Sequence, residues 1–393
     1  MSGISAYSLE ELKRIVRRIE FNKTSPELLL DLISKARSLG SEERRSIKRI
    51  LYHSKNLSKI LLENELIIPI SIKQEAIKKL SGIPTWAVDG SNQVIKGLRD
   101  EWFVFLSASR VFMPKGMQGK VEFKVGGDIQ KIKALDDAMA RSKATNLMML
   151  MEIEQIGEAY RDARKLGIND ALLIIDGPII DPPQLSREEY VRQRVKVIKK
   201  CLSIGFTFLG FVKRPYGRPF LSFLEKMSFE GISHSKSYIS DVTILNPILF
   251  LAICKENKSS RVIITRPQEM PILKEPPFST YQVYKKLGLN IYYCYYKFDL
   301  RSGVYRLELA STEEFNDNKL LRIFNGVIPV IYALTPPGMK FPLPILIAHD
   351  KCSIRKGAAE TLYYEIITRT PVSYTHLRAH ETSLHLVCRL LLE

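Results

Sequence analysis

The stretch Thr85-Trp86-Ala87-Val88-Asp89-Gly90-Ser91 places an acid directly after a run of apolar residues. A short strand over this run carries the Asp89 carboxylate to its end, at the edge of a sheet. The pattern recurs in Ala171-Leu172-Leu173-Ile174-Ile175-Asp176-Gly177-Pro178. Asp-Gly is among the commonest turn dipeptides, so either copy alone predicts an ordinary turn. Two buried strands that each end in Asp-Gly also place two carboxylates side by side, and such pairs bind divalent metal ions.

The composition is that of an ordinary globular protein, with 45% hydrophobic and 26% charged residues in a chain of 393. The sequence has neither an apolar run long enough to span a membrane nor the pattern of a signal peptide. Its five cysteines form no C-x-x-C pair, which argues against a disulfide framework and a zinc site. We therefore expect a cytoplasmic protein.

The formal net charge of +17 is the strongest global signal. Lysine and arginine total 59 against 42 acids, and such an excess favours polyanions, above all nucleic acid. A membrane surface or plain solubility also accounts for a basic balance. Because the excess is spread along the chain, it indicates a class of partner and no particular site.

The last residues, 371–393, resemble translated sequencing-adapter read-through, so we expect the native chain to be truncated near Pro371. Three of the six histidines, His376, His380 and His385, lie in this tail. We reject a metal site there, since such segments are excluded from fold reasoning.

Residues 1–80 predict an N-terminal helical region. Ser8-Leu9-Glu10-Glu11 has the pattern of a capping box, and Ser25-Pro26 is an N-cap followed by proline at the first helical position. A further helix is expected after Ser41.

From Thr85 the pattern changes to strands. After the first strand come strands over 102–112 and 121–125, a helix over about 135–166 and the second acid-tipped strand, 171–176. Three strands in an antiparallel meander, a helix and a fourth strand form the core of the ribonuclease-H-like fold. The sequence thus predicts a ribonuclease-H-like α/β domain over 81–370, with a mixed sheet flanked by helices.

That fold requires a carboxylate on the inward face of the helix. Glu152 falls at the missing position of an apolar stripe, and a buried acid needs a partner such as a metal ion. Glu154 and Glu158 remain alternatives, although their position beside Arg161 favours a solvated face. The stripe consists of Met148, Ile156, Ala159 and Ala163.

Two further segments carry candidate site residues. Lys213 and Arg214 follow a predicted strand, 206–212, and are well placed for a phosphate, although Lys-Arg-Pro is also an unremarkable polar loop. His349 follows the apolar run that begins at Phe341, where we expect it at the start of a helix. A lone histidine is more often a structural or surface residue.

Taken together, these residues resemble the NurA nuclease family of archaea and some bacteria. The resemblance covers residues from about 80 to 370 and matches the helix acid as well as four short motifs. These motifs are Trp-Ala-Val-Asp89-Gly-Ser, Leu-Ile-Ile-Asp176-Gly-Pro, Val-Lys213-Arg214-Pro and Pro-Leu-Pro-Ile-Leu-Ile-Ala-His349.

The resemblance implies a manganese-dependent DNA nuclease with 5′-to-3′ exonuclease and single-strand endonuclease activity. It also implies a toroidal homodimer that works with the hexameric HerA translocase at single- and double-stranded DNA ends. One position departs from the family pattern, since Phe341 stands where the family often has tyrosine. The aromatic ring is kept but the tyrosine hydroxyl is absent, so any polar role of that hydroxyl group does not carry over to this chain.

We expect Asp89, Glu152 and Asp176 to hold one or two Mn²⁺ or Mg²⁺ ions for phosphodiester hydrolysis. We expect His349 to complete the metal shell, protonate the leaving group or position the phosphate. Lys213 and Arg214 are expected to offset the negative charge of the phosphate. A ribonuclease or junction nuclease on the same fold is one alternative. A non-catalytic basic DNA clamp is the other, and it predicts that the three carboxylates do not converge.

Overall fold

The computed structural model of the chain describes residues 25–97, 101–180, 188–227, 240–256, 261–273 and 278–369. The chain forms two compact units, each built from separate segments. The larger unit comprises Glu75–Lys213, Glu269–Tyr293 and Leu307–Glu393; the smaller comprises Met1–Gln74, Arg214–Gln268 and Cys294–Arg306. The division at residue 80 stays a prediction, and the expected tail and first helix lie outside the described residues.

The strands are named in chain order. They are β1 (Ile67–Ser71), β2 (Thr85–Lys96), β3 (Glu101–Met117), β4 (Glu122–Lys133), β5 (Leu172–Asp176), β6 (Thr207–Val212), β7 (Arg261–Thr265), β8 (Gln268–Glu269), β9 (Asn290–Lys297) and β10 (Tyr305–Ser311).

The helices are named in the same way. They are α1 (Pro26–Glu63), α2 (Gln74–Leu80), α3 (Asp137–Leu166), α4 (Glu188–Leu202), α5 (Pro219–Lys226), α6 (Asp241–Glu256), α7 (Tyr281–Lys286), α8 (Asp317–Ala333), α9 (Leu343–Cys352) and α10 (Lys356–Arg369).

The larger unit contains a mixed sheet with the strand order β10-β6-β5-β2-β3-β4. Strands β2, β3 and β4 pair antiparallel as a meander. Helix α3 then leads to β5, which pairs parallel to β2 and to β6. A meander, a crossover helix and a parallel strand beside the first strand confirm the predicted ribonuclease-H-like arrangement of a mixed sheet with helices.

The prediction that Asp89 ends the first strand is wrong. β2 continues through Gly90 and Ser91 to Lys96 and stays paired with β3 along its whole length. The long β3 supplies hydrogen-bond partners past the Asp-Gly pair, so the backbone does not turn there. The parallel pairing of β2 with β5, however, stops at Val88 and Ile175. Asp89 and Asp176 are therefore the next positions on two neighbouring strands.

Helix α3 lies close to its predicted bounds because both ends are capped. The Asp136 side chain accepts from the Met139 N–H at 2.7 Å, and Gly167 ends the helix at φ 65°. That left-handed conformation favours glycine. The helix packs on β2 and β3, where Trp86 stacks on Phe112 with ring centroids 3.9 Å apart. Its buried residues are Ala140, Ala144, Met149, Ile156, Ala159 and Ala163.

In the described part of the smaller unit, the first element is α1, a single helix of 38 residues. Ser25 caps it as predicted, since its hydroxyl accepts from the Leu28 N–H at 3.2 Å. No separate helix begins at Ser41, because its hydroxyl donates to the Arg37 carbonyl within the same helix. The expected all-helical region also contains β1, which pairs antiparallel with β7. Within the described ranges, no helix is long and apolar enough to span a bilayer.

Candidate metal centre

Asp89, Asp176 and His349 form a compact cluster in the larger unit. Each offers one ligand atom, and these three atoms lie within 4.8 Å of one another. The side chains of Asp89 and Asp176 are only 7% and 11% exposed, whereas the imidazole is 58% exposed. The cluster therefore has a buried acidic floor and an accessible imidazole at its mouth.

The register of β2 and β5 brings the two acids together, and α9 brings the imidazole. His349 Nδ1 lies 2.8 Å from Asp89 Oδ2 and 3.8 Å from Asp176 Oδ2. His349 stands in the last turn of α9, so the prediction that it lies at the start of a helix is wrong. The helix begins earlier because Pro342 is its N-cap and Pro344 occupies the first turn, where proline is tolerated.

The electrostatics of the cluster are unfavourable without a cation. Burial and the negative charge of Asp89 raise the pKa of Asp176, Lys213 and His349 oppose them, and the net result is a pKa of about 6. The Lys213 ammonium donates to Asp176 Oδ2. Arg214, the next residue, is exposed and belongs to the smaller unit, so its role at a phosphate stays a prediction.

Glu152 lies beside this cluster and outside the group of three. A Cβ added at Gly90 would lie 2.7 Å from Glu152 Oε1, so the carboxylate rests against the backbone next to Asp89. Side chains alternate along β2, so Asp89 and Gly90 face opposite sides of the sheet. Of the two alternatives, Glu154 is exposed and Glu158 pairs with Arg161. Glu152 is thus the helix acid that lies against β2 beside Asp89, and its role as a ligand stays a prediction.

Three polar side chains near Asp89 hold the end of α9. The Ser109 hydroxyl donates to the Ala348 carbonyl at 2.7 Å, directly before His349. At the following turn, Gln93 Nε2 donates to the Ile354 carbonyl at 3.0 Å and Ser91 Oγ accepts from its N–H at 3.1 Å. Sequence reasoning missed these residues. The available signal was the polar interruption of the apolar strand β3 at Ser109.

The donor set fits a divalent cation. Two carboxylates and one imidazole provide three ligand atoms close enough to surround one ion, and the ion would neutralise the contact between two like charges. Hard carboxylate oxygens favour Mn²⁺ or Mg²⁺, and the imidazole shifts the balance toward the transition metal.

Three solved structures resemble this chain, and the first of them supports the fold. The crystal structure of the NurA nuclease from Sulfolobus solfataricus shares 16% identity and a TM-score of 0.55, covering 85% of this chain and 96% of that chain. A second NurA crystal structure shares 14% identity and a TM-score of 0.47, covering 83% and 97%. A NurA structure bound to dAMP and manganese shares 15% identity and a TM-score of 0.42, covering 84% and 97%.

The family is shown by sequence. Comparison with curated proteins gives no significant match. The NurA domain profile, in contrast, matches residues 84–354, which include Asp89, Asp176 and His349. Since this match spans more than half of the chain, the protein belongs to the NurA domain family.

Proposed function

We propose that this protein is a metal-dependent deoxyribonuclease that hydrolyses phosphodiester bonds at DNA ends. Membership of the NurA family supports a nuclease. The observation that carries the proposal is the convergence of Asp89, Asp176 and His349 within 4.8 Å. Buried carboxylates in contact raise each other's energy, and such arrangements are characteristic of functional sites.

Asp89, Asp176 and His349 are the proposed ligands of a divalent cation, Mn²⁺ in preference to Mg²⁺. Glu152 is proposed as a further ligand, either of this ion or of a second one. When bound, such ions lower the pKa of a water molecule and stabilise negative charge on the leaving oxygen. His349 is 58% exposed and hydrogen-bonded to Asp89, so it is also suited to position the phosphate or protonate the leaving group.

Lys213 and Arg214 are the proposed contacts to the phosphate backbone. DNA as the substrate is supported by the net charge of +17 and by family membership. The 5′-to-3′ exonuclease and single-strand endonuclease activities, the homodimer and a HerA-like hexameric ATPase partner are proposed from the resemblance alone. The four described cysteines are free, in keeping with action in the cytoplasm.

A nuclease assay with labelled single- and double-stranded DNA, with and without Mn²⁺, tests this proposal. Asp89→Ala removes a ligand, so we expect cleavage to fall by roughly a thousandfold or more while DNA binding is largely retained. Glu154→Ala, at an exposed position of α3, is the matched control and should cleave normally. Manganese-dependent cleavage by Asp89→Ala would contradict the assignment.

The same assay separates the rivals. Faster cleavage of RNA than of DNA would favour a ribonuclease, and selective cutting of branched DNA would favour a junction nuclease. A basic clamp without catalytic activity would bind DNA and leave every substrate intact in the presence of either ion.

A further inference from the structure

The ammonium group of Lys213 contacts two different surfaces in the site. It donates to Asp176 Oδ2 and lies 4.9 Å from the centroid of the Phe341 ring. The carboxylate is a charged partner that a metal ion would also require. The ring is a neutral partner that attracts a cation through its quadrupole. Lys213 therefore keeps one partner if the other is taken by an ion.

Two neighbours hold the ring of Phe341 in place: Pro342, which follows it in the chain, and Phe211, which packs against it. Phe341 directly precedes Pro342, the N-cap of α9. Its ring packs edge-on against Phe211, with centroids 6.1 Å apart and an interplanar angle of 84°. Phe211 is fully buried in β6, two residues before Lys213. The end of β6 therefore positions both Lys213 and Phe211, the residue that packs against the ring of Phe341.

Lys213 needs such a support because its side chain is long and flexible. Four rotatable bonds lie between the backbone and the ammonium, and fixing them costs conformational entropy. A cation over a ring face is attracted with little directional demand, so the ammonium can turn from Asp176 toward a neighbouring anion without leaving the ring.

We propose that Phe341 is a positioning residue that holds Lys213 over its ring and presents the ammonium to the substrate phosphate once a divalent cation occupies Asp176. The inference rests on the proposed nuclease function. It assigns the aromatic ring a role that needs no hydroxyl group. Phe341 acts through Lys213 and touches no reacting atom.

A double-mutant cycle tests this coupling. Phe341→Leu should lower kcat/KM for single-stranded DNA by roughly three- to thirtyfold, the range expected for loss of a cation–ring contact. Phe341→Tyr retains the ring and should stay close to the parent protein. In a Lys213→Met background, Phe341→Leu should have little further effect, because the cation that the ring holds is gone.

The cycle is repeated on binding of a single-stranded oligonucleotide with Ca²⁺ in place of Mn²⁺, so that the carboxylates are occupied, at Ca²⁺ concentrations where the oligonucleotide stays intact. Phe341→Met, which keeps most of the side-chain volume and lacks the ring, should match Phe341→Leu and guards against a packing defect. Additive effects of the two positions in both measurements would overturn the inference. A parent protein that binds the oligonucleotide but cleaves nothing with Mn²⁺ would instead refute the proposed function, while the binding cycle still decides the coupling.

Discussion

Asp176 in the larger unit and Asp241 in the smaller unit are two buried acids with the same perturbation. The pKa of each is raised to about 6, with burial as the largest cause in both. Their surroundings differ. Asp241 accepts from the Phe220 N–H at 2.8 Å, from the Leu221 N–H at 2.9 Å and from the Tyr295 hydroxyl at 2.8 Å. Asp176 instead lies beside the like charge of Asp89.

This difference separates a structural acid from the acid that we propose as a metal ligand. The fold satisfies Asp241 with two backbone donors and a hydroxyl, so its carboxylate stabilises the packing of α5 and α6. At Asp176 the fold supplies a repulsive neighbour and one lysine, a partner that a metal ion can replace. A raised pKa alone therefore does not identify a site, whereas a raised pKa caused partly by a second acid indicates one.

Among the variants that test this comparison, Asp176→Asn should have the largest effect on cleavage. Because Asp176 is a proposed metal ligand, its removal should lower cleavage by roughly a thousandfold or more. Because the substitution also removes the repulsion from Asp89, the melting temperature in EDTA should be unchanged or higher. Activity assays and thermal unfolding of the same sample measure both. A clear loss of stability with activity retained would make Asp176 a structural acid like Asp241.

Asp241→Asn should show the opposite behaviour. The amide NH₂ of the new asparagine would face one of the groups that now donate to Asp241, leaving two donors opposed. We therefore expect the free energy of unfolding to fall by about 1–3 kcal/mol. Denaturant titration measures this change. Cleavage at a temperature where the variant remains folded should be normal, and its loss there would show that Asp241 supports the site directly.

The pH dependence of stability and of Mn²⁺ affinity distinguishes Asp176 from Asp241. Both folded-state pKa values lie above 3.8, so the folded state binds more protons between pH 3.8 and about 6. The free energy of unfolding of the metal-free protein therefore decreases as pH rises through this window. The proposed Mn²⁺ site needs the ionised Asp176, so the affinity for Mn²⁺ should fall by up to about tenfold per pH unit below pH 6.

Titration calorimetry with Mn²⁺ at several pH values tests this dependence. The Asp241→Asn variant should keep the same pH dependence of Mn²⁺ affinity, because Asp241 lies in the smaller unit and belongs to no ligand set among the described residues. A pH-independent affinity between pH 5 and 7 would contradict the raised pKa of Asp176.

Ser109→Ala gives the smallest expected effect. At Asp241 the hydrogen bonds hold the acid itself, whereas Ser109 holds α9 and so positions His349. Loss of one buried hydrogen bond of about 1 kcal/mol should lower kcat roughly fivefold with KM nearly unchanged. Ser107→Ala, two residues earlier on β3, is the control. Equal effects of both variants would indicate a general packing defect.

The sequence predicted the elements well where a segment's own pattern decides its structure. The apolar runs before Asp89 and Asp176, helix α3 and the order of elements all appear as expected. Glu152 was placed correctly on the face of α3 that meets β2, since the stripe around it is periodic. These features depend on residues near one another in the chain.

The missed features depend on residues far apart. Gly90 and Ser91 have the composition of a turn, and only pairing with β3 extends β2 through them. The bond from Ser109 to Ala348 joins residues 239 positions apart. The contact of Lys213 with Phe341 likewise joins two distant segments, which no local periodicity reveals.

The pairing of β2 with β5 also makes the site sensitive to errors in assembly. A slip of one residue in β2 would exchange the two faces of the strand, turning Asp89 toward α3 and exposing Trp86 or Val88 on the opposite side. The fold would then keep much of its hydrogen bonding and lose its pair of adjacent carboxylates. Recovery of Mn²⁺ binding after refolding would therefore report whether the central strands found their native alignment, a distinction that secondary-structure spectroscopy does not make.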